Sequence, residues 1–166
     1  MEPVAQQLIM YGQPSDAEPL DWAWVHEQLA AAGTYWVVAP GTGHPHPRPV
    51  WGVWSGRRLH LSIGSPTLVR ALEPGGLVTV HLGSATDVVV LEGVASGTTA
   101  DADLLGVYNE KYDWSYSVDE YGPLTSIVAS TVIAWCSAGW AGRDGFQATG
   151  RWHIPTPDVG PGDRAL

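Results

Sequence analysis

The sequence predicts a mainly β protein, a small barrel of six to seven strands with peripheral helices, and three observations carry that expectation. Short runs rich in Val, Thr, Leu and Trp recur along the chain between Gly-, Pro- and Ser-containing turns, as in all-β sandwiches and barrels. One run, "DVVVLEGVA", is apolar on both faces, the pattern of a strand covered on both sides. Only three stretches carry helix start signals.

Taken in order, "PLDWAWVHEQLAAAG" reads as a helix, with Asp21 as its cap, a stripe of Trp22, Val25, Leu29 and Ala32, and Gly33 as its stop. "TYWVVA" is the first strand, followed by the loop "PGTGHPHP". "RPVWGVW" and "RRLHLSI" form a hairpin with Gly56 at its tip. "SPTLVRALE" is a short helix with Ser65 as N-cap and Pro66 at the first helical position. "GGLVTVHL" and "TDVVVLEGVASGTT" make a second hairpin around "GSA", and "DADLLGVYNEKYDW" is helical from an acidic cap. "SIVASTVIAWCSAG" and "FQATGRWHI" are the last strands. The organisation is an N-terminal arm over 1–17, one domain over 18–155, and a Pro/Gly-rich loose tail over 156–166.

Composition narrows the function classes. The chain has 166 residues and a net charge of −9, with Lys111 its single lysine. Such a surface repels phosphate backbones and anionic lipid heads, so neither nucleic acid nor a membrane is an expected partner. No run approaches the roughly 20 apolar residues of a membrane span. The N-terminus has no basic region before its short apolar run, so a cytoplasmic location is expected. Charged residues make up 15% of the chain, against a usual share of about a quarter, and there are nine Trp. That combination predicts apolar area hidden in a subunit interface. The lone Cys136 excludes an internal disulfide and a cysteine zinc site, and is expected to be a small buried hydrophobe.

The ordered set "HPHPRPVWGVW…RRLHLSI…VRAL…VTVHL…VVVLEGVA…KYDW…GRW" resembles the pyridoxamine 5′-phosphate oxidase-like proteins, and within them the flavin/deazaflavin oxidoreductases of the FMN-binding split β-barrel fold. The match runs from about Trp22 to Ile154. The resemblance implies a homodimer with cofactor sites between subunits. It implies a ring along Arg48, Pro49, Val50 and Trp51, and a phosphate near Ser62, Ile63, Thr67, Leu68 and Arg70. Arg151 and Trp152 would complete the site, and Tyr35, Trp54, Tyr112 and Trp114 would border a pocket for a small organic substrate. A flavin phosphate is a dianion, suited to helix-start N–H groups and a guanidinium. Gly52 would let a flat ligand approach the backbone. Trp51 and Trp54 fall on opposite faces by strand alternation.

The sequence departs from the family at the phosphate helix. Relatives commonly read S-R-K-A-R-N-L there, and this chain reads "PTLVRAL", placing Leu68 at the lysine position and leaving Arg70 as the surviving cation. Arg70 or Arg151 would have to replace that lysine. FMN is expected ahead of the deazaflavin coenzyme F-420, whose oligoglutamyl tail adds negative charge. A third reading, from another class, is a cofactor-free ligand-binding protein or non-redox enzyme using the same pocket.

Other groups have plainer expectations. His44 and His46, with His60 or His81, lack the carboxylate or thiol of a recognisable metal spacing, so no metal site is expected. His60 is expected to face water. Glu92, inside an apolar strand, must be paired if buried, with Arg48 or Arg151 as its partner. Tyr112 and Asp113 are the two acid–base candidates, and "YNEKYDWSYSVDEYG" gathers an aromatic cluster able to stack on a flat substrate.

Overall fold

The computed structural model describes residues 3–10, 12–14, 18–40, 44–136 and 148–155. The expected tail 156–166 and parts of the arm lie outside the described residues. A two-stranded hairpin, β1 (Ile9–Met10) and β2 (Gln13–Pro14), precedes helix α1 (Trp22–Ala31). Then follow β3 (Tyr35–Ala39), β4 (His46–Val50), β5 (Gly52–Ser55), β6 (Arg58–Leu61), α2 (Pro66–Ala71), β7 (Leu77–His81) and β8 (Asp87–Thr99). Helices α3 (Ala102–Tyr112) and α4 (Val118–Tyr121) lead to β9 (Leu124–Cys136) and β10 (Ala148–His153).

Seven strands form one antiparallel curled sheet in the order β4-β3-β7-β8-β9-β6-β5, and β10 adds to β9. The spine is β8–β9. Its register shifts between Glu92 and Gly93 and again between Ala95 and Thr98, irregularities that bend and twist a sheet. A Cβ at Gly93 would meet the Val128 carbonyl oxygen at 2.3 Å, so only glycine permits this approach. Along its other edge β9 pairs first with β6, through Thr125–Val128, and then with β10, through Thr131–Cys136.

One difference from the sequence reading organises the molecule. "RPVWGVW" is not one strand: β4 pairs with β3, β5 pairs with β6, and Trp51 lies between them outside either ladder. The two ends of the curled sheet are therefore consecutive in the chain and unpaired with each other, which makes a half-barrel with an open seam. The β5–β6 turn has Gly56 and Arg57 both at positive φ, 56° and 65°, the geometry of a tight hairpin turn that follows strand twist.

The inner face of the curl holds the core: Val37, Leu59, Leu61, Val80, Leu91, Ile127 and Trp152, closed by Trp22, Val25 and Leu29 of α1 and Leu68 of α2. A second cluster lies on the other face, where Tyr108 of α3 packs on Val53 and Leu124. The helix starts follow the sequence. Asp21 accepts from the Ala23 N–H, Ser65 from that of Leu68, and Asp101 from that of Leu104. The ends do not. Helix α1 stops as Ala32 turns to extended backbone, before Gly33. Helix α3 stops at Asp113 with φ 47°, a left-handed position that Asp tolerates.

Several polar expectations are corrected. Glu92 is exposed, so it needs no ion pair. Cys136 is only half-buried, and its thiol donates to the Asp87 carboxylate at 3.1 Å. His60 does not face water: α3 covers that side of the sheet, and the ring is buried with Nδ1 2.9 Å from Ser126 Oγ. Burial, and secondly the Arg58 charge, hold its pKa below the usual value.

The seam depends on Gly52, where a Cβ would lie 2.5 Å from the His60 carbonyl oxygen and 2.7 Å from Leu61 Cδ2. The close neighbour there is the paired strand, not a ligand. Gly52→Ala should destabilise the protein by about 1–3 kcal/mol through overpacking, read as a lower urea midpoint with unchanged slope.

Candidate functional site

A cavity of about 380 Å³ opens at the seam, lined by Arg48, Pro49, Val50, Trp51, Ser62, Gly64, Ser65, Leu68 and Tyr108. One lip is β4. The other is the segment from the end of β6 into α2. Its size falls within the range of small-molecule sites. Ser62 is brought across by its N–H, which donates to the Trp51 carbonyl at 3.0 Å.

The β4 lip has a specific polarity. Pro47 and Pro49 carry no N–H, so the bonds to β3 run through His46, Arg48 and Val50, and the free edge presents carbonyls. The Pro47 carbonyl accepts from Arg48 Nη1 at 2.8 Å, leaving Pro49 O as the acceptor beside the cavity. Donors on the lining include the Arg48 guanidinium and the Ser65 hydroxyl, while the Ser62 hydroxyl donates to Tyr116 Oη at 3.4 Å. Tyr108 supplies a buried ring.

Of the residues the sequence nominated, Arg48, Pro49, Val50, Trp51, Ser62 and Leu68 meet at this cavity. Ile63 is half-buried against the core, while Thr67 and Arg70 are exposed on α2 and off the lining. Leu68 is 1% exposed and belongs to the core, so its position gives the cavity an apolar flank rather than a charge. Trp152 is wholly buried, edge-on to Trp22, because alternation along β10 turns it inward over Gly150. Arg151 is exposed and pairs with Gln6 through the backbone. It sits opposite Ile133, whereas Leu61 at the cavity end of β6 sits opposite Thr125. Eight residues of β9 separate them, about 26 Å of strand. Tyr35 and Trp54 are core side chains, and the Trp54 Nε1 has no partner among the described residues. Trp114 is exposed beside Trp51.

The acid–base candidates have other work. The Tyr112 hydroxyl accepts from the Gly52 N–H at 2.9 Å and lies 2.9 Å from the Gly52 carbonyl, to which it donates. Its ring stacks on Trp51 at 4.7 Å and 5°. Burial raises its pKa, opposing proton loss near neutrality. Asp113 is exposed and serves as the left-handed end of α3.

Sequence reasoning missed Lys111 as a site residue. Its Nζ donates to Tyr35 Oη at 3.0 Å and to the Gly52 carbonyl at 3.1 Å, and lies 5.0 and 5.4 Å from the ring centres of Tyr35 and Tyr112. No carboxylate is among these partners, and burial pushes its pKa down to about 8. The signal was there, as the chain's one lysine inside an aromatic helix. What the sequence does not show is that α3 aims it at Gly52.

No family model matches the sequence, and no curated protein matches it. Solved structures do. The FAD and heme binding protein from Mycobacterium smegmatis is 20% identical, with a TM-score of 0.58 over 88% of this chain and 92% of its own. An FAD-binding protein from Mesorhizobium loti is 16% identical, with a TM-score of 0.53 over 80% and 94%. An F420 reductase is 14% identical, with a TM-score of 0.51 over 64% and 94%. The fold is the split barrel of pyridoxamine 5′-phosphate oxidase-like, flavin-binding proteins.

Within this split barrel, the gap between β4 and β5 is the split, and the α3 side chains of Lys111 and Tyr112 hold the corner beside it. Among the described residues no helix is long and apolar enough to cross a membrane.

Two stability predictions follow from the corner. Tyr112→Phe removes the acceptor of the Gly52 N–H and should cost about 1–3 kcal/mol, measured by urea denaturation. The second concerns pH. Lys111 has a folded pKa below its unfolded value, so its strain is fully present below about pH 8 and is relieved as pH rises toward the unfolded value. Tyr35 and Tyr108 have raised folded values, Tyr108 to about 12, both chiefly through burial, and so their stabilisation is lost above about pH 10. Thermal midpoints should rise from pH 8 to 10 and fall beyond it, and Lys111→Met should flatten the rise.

Proposed function

We propose that the protein is a flavin-nucleotide-dependent oxidoreductase acting on a small organic substrate, with FMN in the seam cavity of a homodimer. The carrying observation is the cavity itself, whose strand lip and helix-side lip lie together in a fold shared with FAD-binding proteins and an F420 reductase.

The donor set fits FMN. Pro49 O is an acceptor at a lip otherwise closed by prolines, suited to the imide N–H of the isoalloxazine ring. Trp51, Tyr108 and Leu68 give that ring apolar neighbours. Arg48 and Ser65 are two donors for one phosphate, with charge assistance from the guanidinium. They leave nothing for the further carboxylates of the deazaflavin tail, which favours FMN. A bound flavin supplies hydride or electron transfer to the acceptor. The chain holds the ring edge, neutralises the phosphate and keeps water from the buried face. With the Tyr112 hydroxyl engaged at Gly52, protons for the product come from solvent.

The second copy is supported by the outer face of the sheet. Trp36 stacks on His81 there, Leu77 is 66% exposed, and a groove of about 490 Å³ runs past Val38, Thr79 and Val94. Arg151, so far along β9 from its own cavity, can serve a site only from a partner protomer.

The test is a visible spectrum of the purified protein, followed by titration with FMN and with the deazaflavin. FMN should bind and the deazaflavin should bind more weakly; uptake of neither sinks the redox reading. Loss of one charge-assisted contact costs about 1.5–3 kcal/mol, so Arg48→Ala should weaken FMN binding roughly 10- to 150-fold. Arg70→Ala should leave it unchanged. Sedimentation velocity checks the dimer.

A further inference from the structure

Six aromatic rings run from the cavity wall to the surface, and their outer end is unused by the reading above. Trp51 lines the cavity and stacks one face on Tyr112. Trp114 stands against Trp51 at 6.2 Å and 80°, and Tyr121 against Trp114 at 6.4 Å and 52°. These three rings are 44%, 46% and 43% exposed. Open apolar rings on a small surface mark a contact site. Their mutual angles form a corner with walls on two sides rather than a flat patch.

The charge around the corner has one sign. Asp113, between Tyr112 and Trp114, is exposed, and so is Glu120. The Glu120 carboxylate hydrogen-bonds Tyr121 and so holds the phenol proton on. Of the nearest cations, the Lys111 ammonium is engaged by Tyr35 and the Gly52 carbonyl, and Arg48, with one nitrogen on the Pro47 carbonyl, belongs to the β4 lip of the cavity rather than to the corner. Aromatic faces attract cations, Trp most strongly, and flanking carboxylates add to that field while repelling anions.

We infer that the Trp51–Trp114–Tyr121 corner is the substrate subsite of the oxidoreductase proposed above, and that it selects a flat aromatic cation, such as a quaternised nitrogen heteroaromatic. This rests on that reading for the word substrate. The binding preference stands on the corner alone. Because Trp51 belongs to both cavity and corner, a ring stacked there sits next to the cofactor cavity, as transfer between two flat partners requires.

The test uses one ring in three charge states. N-methylquinolinium, quinoline and quinoline-4-carboxylate are titrated calorimetrically near neutral pH into the full-length protein without added flavin. The cation should bind at least tenfold more tightly than quinoline, and the carboxylate most weakly. Trp114→Ala should weaken the cation at least tenfold, and Trp114→Phe should restore most of the loss. Asp113→Asn with Glu120→Gln should bring the cation down to the level of quinoline and leave quinoline unchanged. Equal binding of all three probes, preference for the anion, or no binding of the cation overturns the inference. A parallel FMN titration separates the two proposals. Cation selection without FMN uptake keeps the subsite and removes the redox reading; FMN uptake without cation selection does the reverse.

Discussion

The seam exists because of the way the backbone is held at Gly52. Strand β4 ends at Val50 and β5 begins at Gly52, and the chain passes from one end of the curled sheet to the other within a single residue. There is no room for a side chain at Gly52 against the β6 carbonyl. Its N–H and C=O receive the Tyr112 hydroxyl and the Lys111 ammonium. A buried backbone group without a partner is costly, so α3 contributes two side chains to satisfy a corner that no ladder could. The cavity, the Trp51 position and the packing of α3 follow from that arrangement.

The same helix explains how an acidic protein tolerates a half-buried lysine that has no carboxylate among its partners in the described residues. Ring faces and a carbonyl replace an ion pair, and the cost appears as a lowered pKa. Burial of Tyr108, Tyr112 and Lys111 on one face of α3 binds the helix to the β5 side of the sheet. The aromatics beyond it, Trp114 and Tyr121, are exposed. Tyr112 supports Trp51 from behind.

Among the described residues, the cation on the cavity lining is on the strand lip. Family resemblance directs attention to α2, but the Leu68 N–H of its first turn is taken by Ser65 Oγ, and Pro66 has no N–H to give. Leu68 is turned into the core, and Arg70 projects from the last turn. Arg48 is then the guanidinium on the cavity lining among the described residues. Prolines on either side of it keep the β4 edge from pairing with another strand, which preserves an open seam.

Local signals alone determined much of this molecule. Asp21, Ser65 and Asp101 fixed three helix starts, because a cap is a contact within four residues. The Gly56 turn and the existence of the long β8 and β9 strands were equally local, and the ordered motifs pointed to a split barrel; the burial of β8 instead alternates, where its run read as apolar on both faces. Arg48, Pro49, Val50, Trp51 and Ser62 were nominated together through the ordered motifs, and the fold brings them to one cavity although β4 and β6 lie far apart in the sheet. Tertiary structure decided the rest. Whether "RPVWGVW" is one strand or two depends on which partners its halves find, and those partners, β3 and β6, are distant in the sheet. Whether Trp152, Tyr35 and Trp54 line a pocket or a core depends on which side α1 covers, and the burial of His60 on α3 crossing the sheet. The role of Lys111 needed the meeting of α3 with Gly52, 59 residues away, a distance at which composition and periodicity carry no information.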